Sequence, residues 1–477
     1  MNTAPYQFSS PRFRQLGYLS WLILLIMAIV FYKERAIFLD GAFQLEKLIN
    51  QGTFKIYHYR LTNPFTQILA LSAIYLKLPL KIVLIGYSIN FILFFGGIHY
   101  AIVRWCKNDF LGWVHLFFFT LMVLDSFYFL PPELYQGSAL LLLWWAILLK
   151  DPNLENKWTM LGLVLFMIPI LSGSRLIATY FLYCFVFFWF SIKELRHWRY
   201  YLLFGCLFLF AFIHSKFFIS GYDIGKIEEF NKNLETYLPN LLDIPANKIF
   251  LAKCIEYYYG YVLAFALVVI GYLYAFIKKR KQVQFPLLKI LMVIGGNVAF
   301  LLLLHLGSPK TNYRFYAEVN YLPLTILVCI PLLFDILPLV KNQKWVLYGF
   351  LLTIIVRLSV IATNHQQFEN RHQWYIDKMD EASGKGTNKS ITQWQNSPKK
   401  MLIQPWASPQ ETLLLSSLRG PEHSRSLLVA NTKEHYTRSL NEGHFFLSSY
   451  YHSHTEDDMN KAFFRMGTET EYLILDE

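Results

Sequence analysis

The chain alternates long apolar runs with short polar segments, and this pattern predicts a bundle of membrane-spanning helices. A helix that crosses the hydrocarbon core needs roughly 20 mostly apolar residues. About eleven runs approach that length, and they begin near Gly17, Ile82, Phe110, Glu133, Trp158, Arg175, Arg199, Tyr257, Phe285, Tyr321 and Lys344. The runs that begin near Trp158 and Arg175 are separated only by residues 172–175, whose Ser-Gly-Ser-Arg sequence predicts a hinge.

A further apolar stretch at residues 64–78 is too short for a standard span. Pro64 fits the first position of a helix, and Asn63 can cap its first turn. About 15 helical residues extend roughly 22 Å, less than the hydrocarbon core of roughly 30 Å. We therefore expect an interfacial or re-entrant helix, and a short span is the alternative.

The composition agrees with a membrane protein. Of the 477 residues, 55% are hydrophobic and 16% are charged, whereas a soluble chain carries about a quarter charged residues. This composition excludes a disordered chain and an ordinary soluble enzyme. The five cysteines lie in or beside apolar stretches without CxxC spacing, so neither a disulfide framework nor a zinc site is expected.

The net charge of +12 is carried by short basic clusters between the apolar runs, such as residues 278–281. Basic clusters of this kind mark the cytoplasmic loops of membrane proteins. A nucleic-acid-binding protein would instead need a continuous basic face, so no nucleic-acid partner is expected. This positive-inside rule predicts a cytoplasmic N-terminus. It also places three long segments outside, namely 33–63, 220–256 and the tail from 364.

These observations predict an all-α polytopic membrane protein with a small α+β extracytoplasmic C-terminal domain. The membrane domain would span 1–363 and carry juxtamembrane helices in its first outer loop, 33–78. The C-terminal domain would span 364–477, with candidate strands at 400–404, 426–430 and 472–475 and a polar linker at 381–397. The abundance of Lys, Ile, Asn and Phe suits a bacterium, so the bacterial cytoplasmic membrane is the expected location.

The first outer loop contains the most informative residue, Asp40. It follows the first span and precedes an amphipathic segment, 42–50, which we expect to lie on the membrane surface. A carboxylate held at the interface can act as a general base for an acceptor hydroxyl or amine. The structural alternatives are a helix cap and an ion pair with Arg35.

Other candidates lie on the same predicted face. Glu133 opens an apolar run, where it either serves a reaction or complements the helix dipole. Arg175, Lys310 and Arg314 are basic residues of outer loops, and arginine binds phosphate in a bidentate manner. The alternatives for them are lipid headgroup contacts or a pair between Arg314 and Glu318.

The order of these features resembles the C-type glycosyltransferase superfamily (GT-C). An acid follows the first span (Asp40), an amphipathic juxtamembrane helix comes next, and Asn63-Pro64-Phe65 enters a short apolar helix. Glu133 then opens a later span, and aromatic and proline residues after Arg314 enter a late one. The resemblance covers roughly 1–362. Many members carry an acidic pair after the first span, whereas Gly41 follows Asp40 here.

The resemblance implies an enzyme that transfers a sugar from a polyprenyl-phosphate-linked donor. Asp40 would be the general base, and Glu133 would orient the acceptor or assist Asp40. The substrate-binding residues would be His58, Arg60, Arg175, Lys310, Arg314 and Tyr316, with an arginine holding the donor phosphate. No residue is assigned as a metal ligand, although a divalent metal is possible. The expected partners are the lipid-linked donor and membrane lipids.

Two other classes of function stay open. A secondary transporter would place ionisable residues within its spans, and Asp125, His214, His305 and Asp335 lie in or near apolar runs. A non-catalytic membrane scaffold that displays the C-terminal domain is the third possibility. Phosphate-binding loops, dinucleotide fingerprints and the HExxH and GxSxG motifs are absent from the sequence.

Overall fold

A computed structural model of the chain describes residues 11–130, 133–279, 282–310, 314–398, 404–430, 437, 445–448, 455–467 and 472–475. The α-helices in these residues are α1 (Pro11–Val30), α2 (Tyr32–Ala36), α3 (Asp40–Gln51), α4 (Ile68–Tyr75), α5 (Leu80–Tyr100), α6 (Asp109–Phe118), α7 (Glu133–Lys150), α8 (Lys157–Gly173), α9 (Ile177–Ser191), α10 (Trp198–Phe217), α11 (Gly221–Tyr237), α12 (Pro245–Glu256), α13 (Tyr259–Ile277), α14 (Pro286–Gly307), α15 (Arg314–Pro331), α16 (Gln343–Thr363), α17 (His365–Gly384) and α18 (Ser408–Ser417).

Seven helical segments in the described part of the chain are long and apolar enough to cross a membrane. They are Pro11–Val30, Leu80–Trp105, Trp198–Phe217, Tyr259–Ile277, Pro286–Gly307, Arg314–Leu339 and Gln343–Gly384. The multi-pass helical architecture is therefore confirmed. The other four predicted spans are also helices, but α6, α8 and α9 are shorter apolar helices and α7 has 18 residues. The count of eleven spans stays a prediction.

The helix α6 is short because the chain after it becomes irregular inside the protein. Side chains from distant helices satisfy the backbone groups of this segment. Glu318 accepts the backbone N–H groups of Leu124 and Ser126 at 2.9 and 2.8 Å. Arg357 donates to the carbonyls of Thr120 and Val123 at 3.0 and 2.6 Å. Non-helical backbone within a membrane bundle is tolerated where protein groups replace the missing hydrogen bonds.

The segment after the first span, 33–78, forms short helices that pack on the bundle. Residues 63–66 form a 3₁₀ turn that leads into α4, and neither is long enough to cross a membrane. The helix α3 begins at Asp40, but residues 41–49 are buried on both of its faces. The C-terminal segment covers the polar face of this helix, and its predicted position on the membrane surface stays a prediction. Asn460, for example, bonds Asn50 and the Ile49 carbonyl at 3.0 Å.

The C-terminal segment contains a three-stranded parallel sheet in the order β2-β1-β3. Its strands are β1 (Lys389–Gln393), β2 (Ser426–Ala430) and β3 (Leu473–Ile474). The predicted strand at 426–430 is confirmed, and the one at 472–475 is a two-residue strand. Residues 400–403 of the third predicted strand lie outside the described residues, and residue 404 is not in a strand.

The predicted linker at 381–397 is wrong, because it contains the central strand β1. The sequence of β1 does not alternate apolar and polar residues, and its polar side chains are buried by contacts with other segments. The Lys389 ammonium group, for example, lies 3.7 Å from the centroid of the Phe445 ring. The main hydrophobic core of the helical bundle continues into α18 through Leu413 and Leu414.

The predicted hinge at 172–175 is confirmed, since α8 ends at Gly173 and α9 begins at Ile177. This end of α8 presses against the start of α7. A Cβ atom added at Gly173 would lie 2.8 Å from the Glu133 carbonyl oxygen and 3.3 Å from the Cα of Gly137. The absence of a side chain at Gly173 therefore lets α8 approach the first turn of α7 closely.

Replacing Gly173 with alanine is expected to destabilise the protein by about 1–3 kcal/mol, because the added methyl group overpacks this contact. Thermal unfolding in detergent measures the effect. Gly162→Ala is the matched control, since Gly162 lies in the same helix with no atom within 4 Å of an added Cβ. Equal melting temperatures for the two variants would contradict the close-packing argument.

Candidate active site

Asp40 is the first residue of α3, placed by a tight turn after α2. Leu39 precedes it with φ 44° and ψ −119°. The Asp40 carboxylate is partly buried, and no described residue makes a hydrogen bond or ion pair with it. Arg35, one alternative partner, instead donates to Ser88 Oγ at 2.9 Å and lies 4.0 Å from the Phe127 ring centroid.

The surroundings of Asp40 favour its protonated form. Burial raises the pKa of this carboxyl to about 7, and the negative charge of Glu133 adds to the effect, while Arg60 opposes it. A general base is most effective when its pKa lies near the working pH. Asp40 therefore combines a carboxylate that has no partner among the described residues with the proton affinity that a general base requires.

Arg60 and Glu133 form an ion pair beside Asp40. Arg60 Nη1 lies 2.8 Å from Glu133 Oε2, and both side chains are partly buried. His58 and Tyr59 have φ values of 52° and 59°, and Arg60 N–H donates to the Tyr57 carbonyl at 3.0 Å. This tight turn directs Arg60 towards the first turn of α7, where Glu133 stands. The predicted start of α7 at Glu133 is confirmed.

Asp223 lies in the first turn of α11 and belongs to the same site, and the sequence reasoning missed it. It lies 3.8 Å from Arg60 Nη2. Burial tends to raise its pKa, but hydrogen bonds from Ser220 and the charges of Arg60 and Arg175 lower it overall. Ser220 and Asp223 form a capping box at the start of α11. The Ser-x-x-Asp spacing was the available signal, although it does not reveal the contact with Arg60.

Arg175 lies near Asp223 with part of its guanidinium group unpaired. Its Nε and Nη2 atoms are buried and have no hydrogen-bond partner among the described residues. Buried guanidinium nitrogens without acceptors are costly, and a bound anion would satisfy them. We call Asp40, Arg60, Glu133, Arg175 and Asp223 the acid–arginine cluster.

His58 lies at the edge of the acid–arginine cluster, stacked on Tyr222 with ring centroids 4.8 Å apart. Burial lowers the pKa of His58, and the charge of Arg60 lowers it further. The imidazole is therefore mostly neutral at pH 7. The structure thus brings together five of the predicted site residues: Asp40, His58, Arg60, Glu133 and Arg175.

Arg314, Lys310 and Tyr316 are placed differently. Arg314 makes a two-point ion pair with the buried Asp125, at 2.6 and 2.5 Å, and lies 3.8 Å from Glu318. The guanidinium group of Arg314 therefore pairs with Asp125 and is not positioned in the acid–arginine cluster. Tyr316 packs on Phe129 with ring centroids 5.2 Å apart, and Lys310 is exposed.

A divalent metal has no evident ligand set in the described residues. No group of three or more His, Cys, Asp or Glu side chains is arranged to hold one there. In the acid–arginine cluster, Glu133 and Asp223 both face Arg60, which leaves Asp40 without a second available carboxylate. The cluster can instead accept a proton at Asp40 and hold an anion near Arg175.

Asp40→Asn is expected to stabilise the protein at neutral pH, since it removes the cost of ionising a partly buried carboxyl. The pKa in the folded state, about 7, exceeds the unfolded value of about 4. Wild-type stability should therefore fall as the pH rises from about 4 to about 7, and the variant should escape this fall.

Melting temperatures in detergent between pH 4 and pH 8 measure this difference. At pH 8 we expect the variant to melt about 2 °C or more above wild type, with a smaller gap at pH 4. Glu369→Gln is the control, because the Glu369 side chain is 64% exposed. A gap that does not depend on pH would refute the buried-carboxyl argument.

Comparison with known protein families, with characterised proteins and with solved structures finds no significant match to this chain. The functional argument therefore depends on the chemistry of the acid–arginine cluster and on its position at one end of the helical bundle.

Proposed function

We propose that this protein is an integral membrane glycosyltransferase that transfers a sugar from a polyprenyl-phosphate-linked donor to an acceptor. The observation that carries the proposal is the Asp40 carboxyl, which has a pKa of about 7 and no described partner. It stands beside the Arg60–Glu133 pair, at the end of a bundle of apolar helices. A lipid-linked donor can approach such a site from the bilayer while its sugar reaches the polar cluster.

In the proposed reaction, Asp40 takes the proton of an acceptor hydroxyl or amine. The acceptor atom then forms a bond to the anomeric carbon of the sugar, and the bond from that carbon to the phosphate oxygen breaks. The electron pair of the broken bond stays on the polyprenyl phosphate, which leaves as an anion. Glu133, fixed by Arg60, is close enough to Asp40 to influence its pKa and is suited to orient the acceptor.

Arg175 is the best-supported candidate for holding the donor phosphate. Its buried Nε and Nη2 atoms need an acceptor, and phosphate oxygens match the guanidinium geometry. Arg60 contributes positive charge but is already paired with Glu133 and Asp223. Stabilising the charge that develops on the leaving phosphate would accelerate the bond-breaking step.

We also propose that the N-terminus is cytoplasmic and that the acid–arginine cluster lies on the extracytoplasmic side of a bacterial cytoplasmic membrane. Basic clusters such as 278–281 support this orientation through the positive-inside rule. The helix α1 carries Arg14 in its first described turn and leads towards Asp40. The acid–arginine cluster would then face the extracytoplasmic side, where lipid-linked sugars replace nucleotide sugars as donors.

Asp40→Asn is expected to reduce transfer at least 100-fold, within the range ascribed to general-base catalysis, because the amide cannot accept the acceptor proton. The assay follows radiolabelled sugar from polyprenyl-phosphate donors in proteoliposomes, using a panel of sugars and acceptors. In wild type, kcat/KM should rise with pH through about 7, since only the ionised carboxylate acts as a base.

Glu34→Gln is the matched control, because Glu34 is a partly buried acid in α2 outside the cluster. It should retain wild-type transfer. Full activity of Asp40→Asn would exclude Asp40 as the base, and no transfer by wild type with any donor in the panel would count against the glycosyltransferase proposal.

A further inference from the structure

The backbone that delivers Asp40 has an unfavourable conformation. Leu39 has φ 44° and ψ −119°, a combination that glycine adopts readily and a leucine does not. Its side chain is fully buried, so the residue cannot become glycine without losing packing. A strained residue of this kind persists only where its neighbours hold it in place.

The C-terminal segment supplies the contact that holds this turn. Leu39 N–H donates a hydrogen bond to Glu411 Oε1 at 2.6 Å, in a fully buried setting. Glu411 is itself fixed by Arg371, whose Nε donates to Oε2 at 2.9 Å and whose Nη2 donates to Oε1 at 3.0 Å. A hydrogen bond to a charged acceptor is stronger than a neutral one, so Glu411 is well suited to hold a strained amide.

The two residues before Leu39 contact the same part of the C-terminal segment. His372 Nε2 lies 2.9 Å from the Ile37 carbonyl oxygen, to which it can donate. The Phe38 ring packs on Phe368, with centroids 4.9 Å apart, and the Arg371 guanidinium lies 5.2 Å from its centroid. Three consecutive residues that end beside Asp40 are therefore held by α17 and α18.

We propose that Glu411, held by Arg371, is a positioning residue that fixes the Leu39 turn and thereby sets the place of the Asp40 carboxylate. This proposal rests on the proposed role of Asp40 as the base, and it gives the C-terminal segment a direct part in the site. The alternative is that the Arg371–Glu411 pair only anchors the C-terminal segment to the bundle.

The test removes the acceptor without leaving a buried charge unpaired. Arg371→Met/Glu411→Met replaces both partners with apolar side chains of similar length, which is tolerated better than removing one. Arg371→Met/Glu411→Gln also removes the ion pair but retains a carbonyl oxygen for Leu39 N–H. Leu39→Gly, added to the double-methionine variant, removes the strain. Asp380→Asn is the control, because it breaks the Asp380–Arg425 pair elsewhere in the C-terminal segment.

The readout is labelling of Asp40 by dicyclohexylcarbodiimide, which reacts with protonated carboxyl groups, followed by peptide mass spectrometry across pH 5–9. We expect wild type and Asp380→Asn to share one labelling midpoint. The double-methionine variant should shift its midpoint downwards by about one pH unit, towards the value of a hydrated carboxyl. The glutamine variant and the Leu39→Gly combination should return to the wild-type midpoint.

An unchanged midpoint in the double-methionine variant would overturn the positioning role, as would equal shifts in the methionine and glutamine variants. If the double-methionine variant fails to fold, a folded glutamine variant with the wild-type midpoint supports the proposal, because the two variants differ in the acceptor for Leu39 N–H. A glutamine variant that fails to fold or has a shifted midpoint refutes it. Labelling does not require sugar transfer. A wild type without transfer would therefore refute the proposed function while leaving this result interpretable.

Discussion

The left-handed turn at Leu39 is the constraint on which the arrangement of the site depends. Leu39 lies between the first span and the start of α3. A non-glycine residue with this backbone conformation costs about 1–3 kcal/mol. Two residues later, Gly41 lies so close to the neighbouring loop that an added Cβ would be 3.1 Å from the Leu130 carbonyl oxygen. The turn and this contact together bring the start of α3 to the loop that leads into α7. Asp40 and Glu133, distant in sequence, thus meet at one end of the bundle.

Close ion pairs distinguish several buried acids of the fold from Asp40. Among the described acids whose side chains are at most 14% exposed, five have an arginine or lysine nitrogen within 3 Å: Asp109 with Arg14, Glu133 with Arg60, Asp335 with Lys289, Asp125 with Arg314, and Glu411 with Arg371. Pairing of this kind stabilises the ionised form of a carboxyl. Asp40 has no such partner among the described residues, and burial instead raises its pKa to about 7. The same physical effect that makes Asp40 unfavourable for stability therefore makes it suitable for proton transfer.

Local features of the fold were predictable from the sequence, and contacts between distant segments were not. The apolar runs, the hinge after Gly173 and the start of α7 at Glu133 follow from hydrophobicity and turn chemistry within a few residues. The burial of the polar face of α3 depends on Asn460, more than 400 residues away, and no periodicity within α3 reveals it. Arg314 was a candidate phosphate ligand because it is one of few basic residues in the predicted outer loops, but its partner Asp125 comes from a different part of the chain. The cluster was partly predictable because Asp40, Arg60 and Glu133 share one predicted face, whereas Asp223 adds a contact that only the tertiary structure provides.

The buried pair of Lys289 and Asp335 bears on the choice between sugar transfer and transport. Lys289 Nζ lies 2.6 Å from Asp335 Oδ2, and Tyr272 and Ser191 complete the hydrogen bonding at 2.7 and 2.8 Å. Lys289 is in the first turn of α14, and Asp335 lies close to the end of the segment Arg314–Leu339. A coupling site would be expected near the middle of the membrane with groups available to an ion, whereas this pair lies near helix ends and is fully engaged. Separating the two side chains would leave two unpaired charges inside the protein, which costs several kcal/mol. The pair therefore links neighbouring helices and has a structural role. The carboxylate of Asp40, which is partly exposed and has no partner among the described residues, is the better candidate for chemistry.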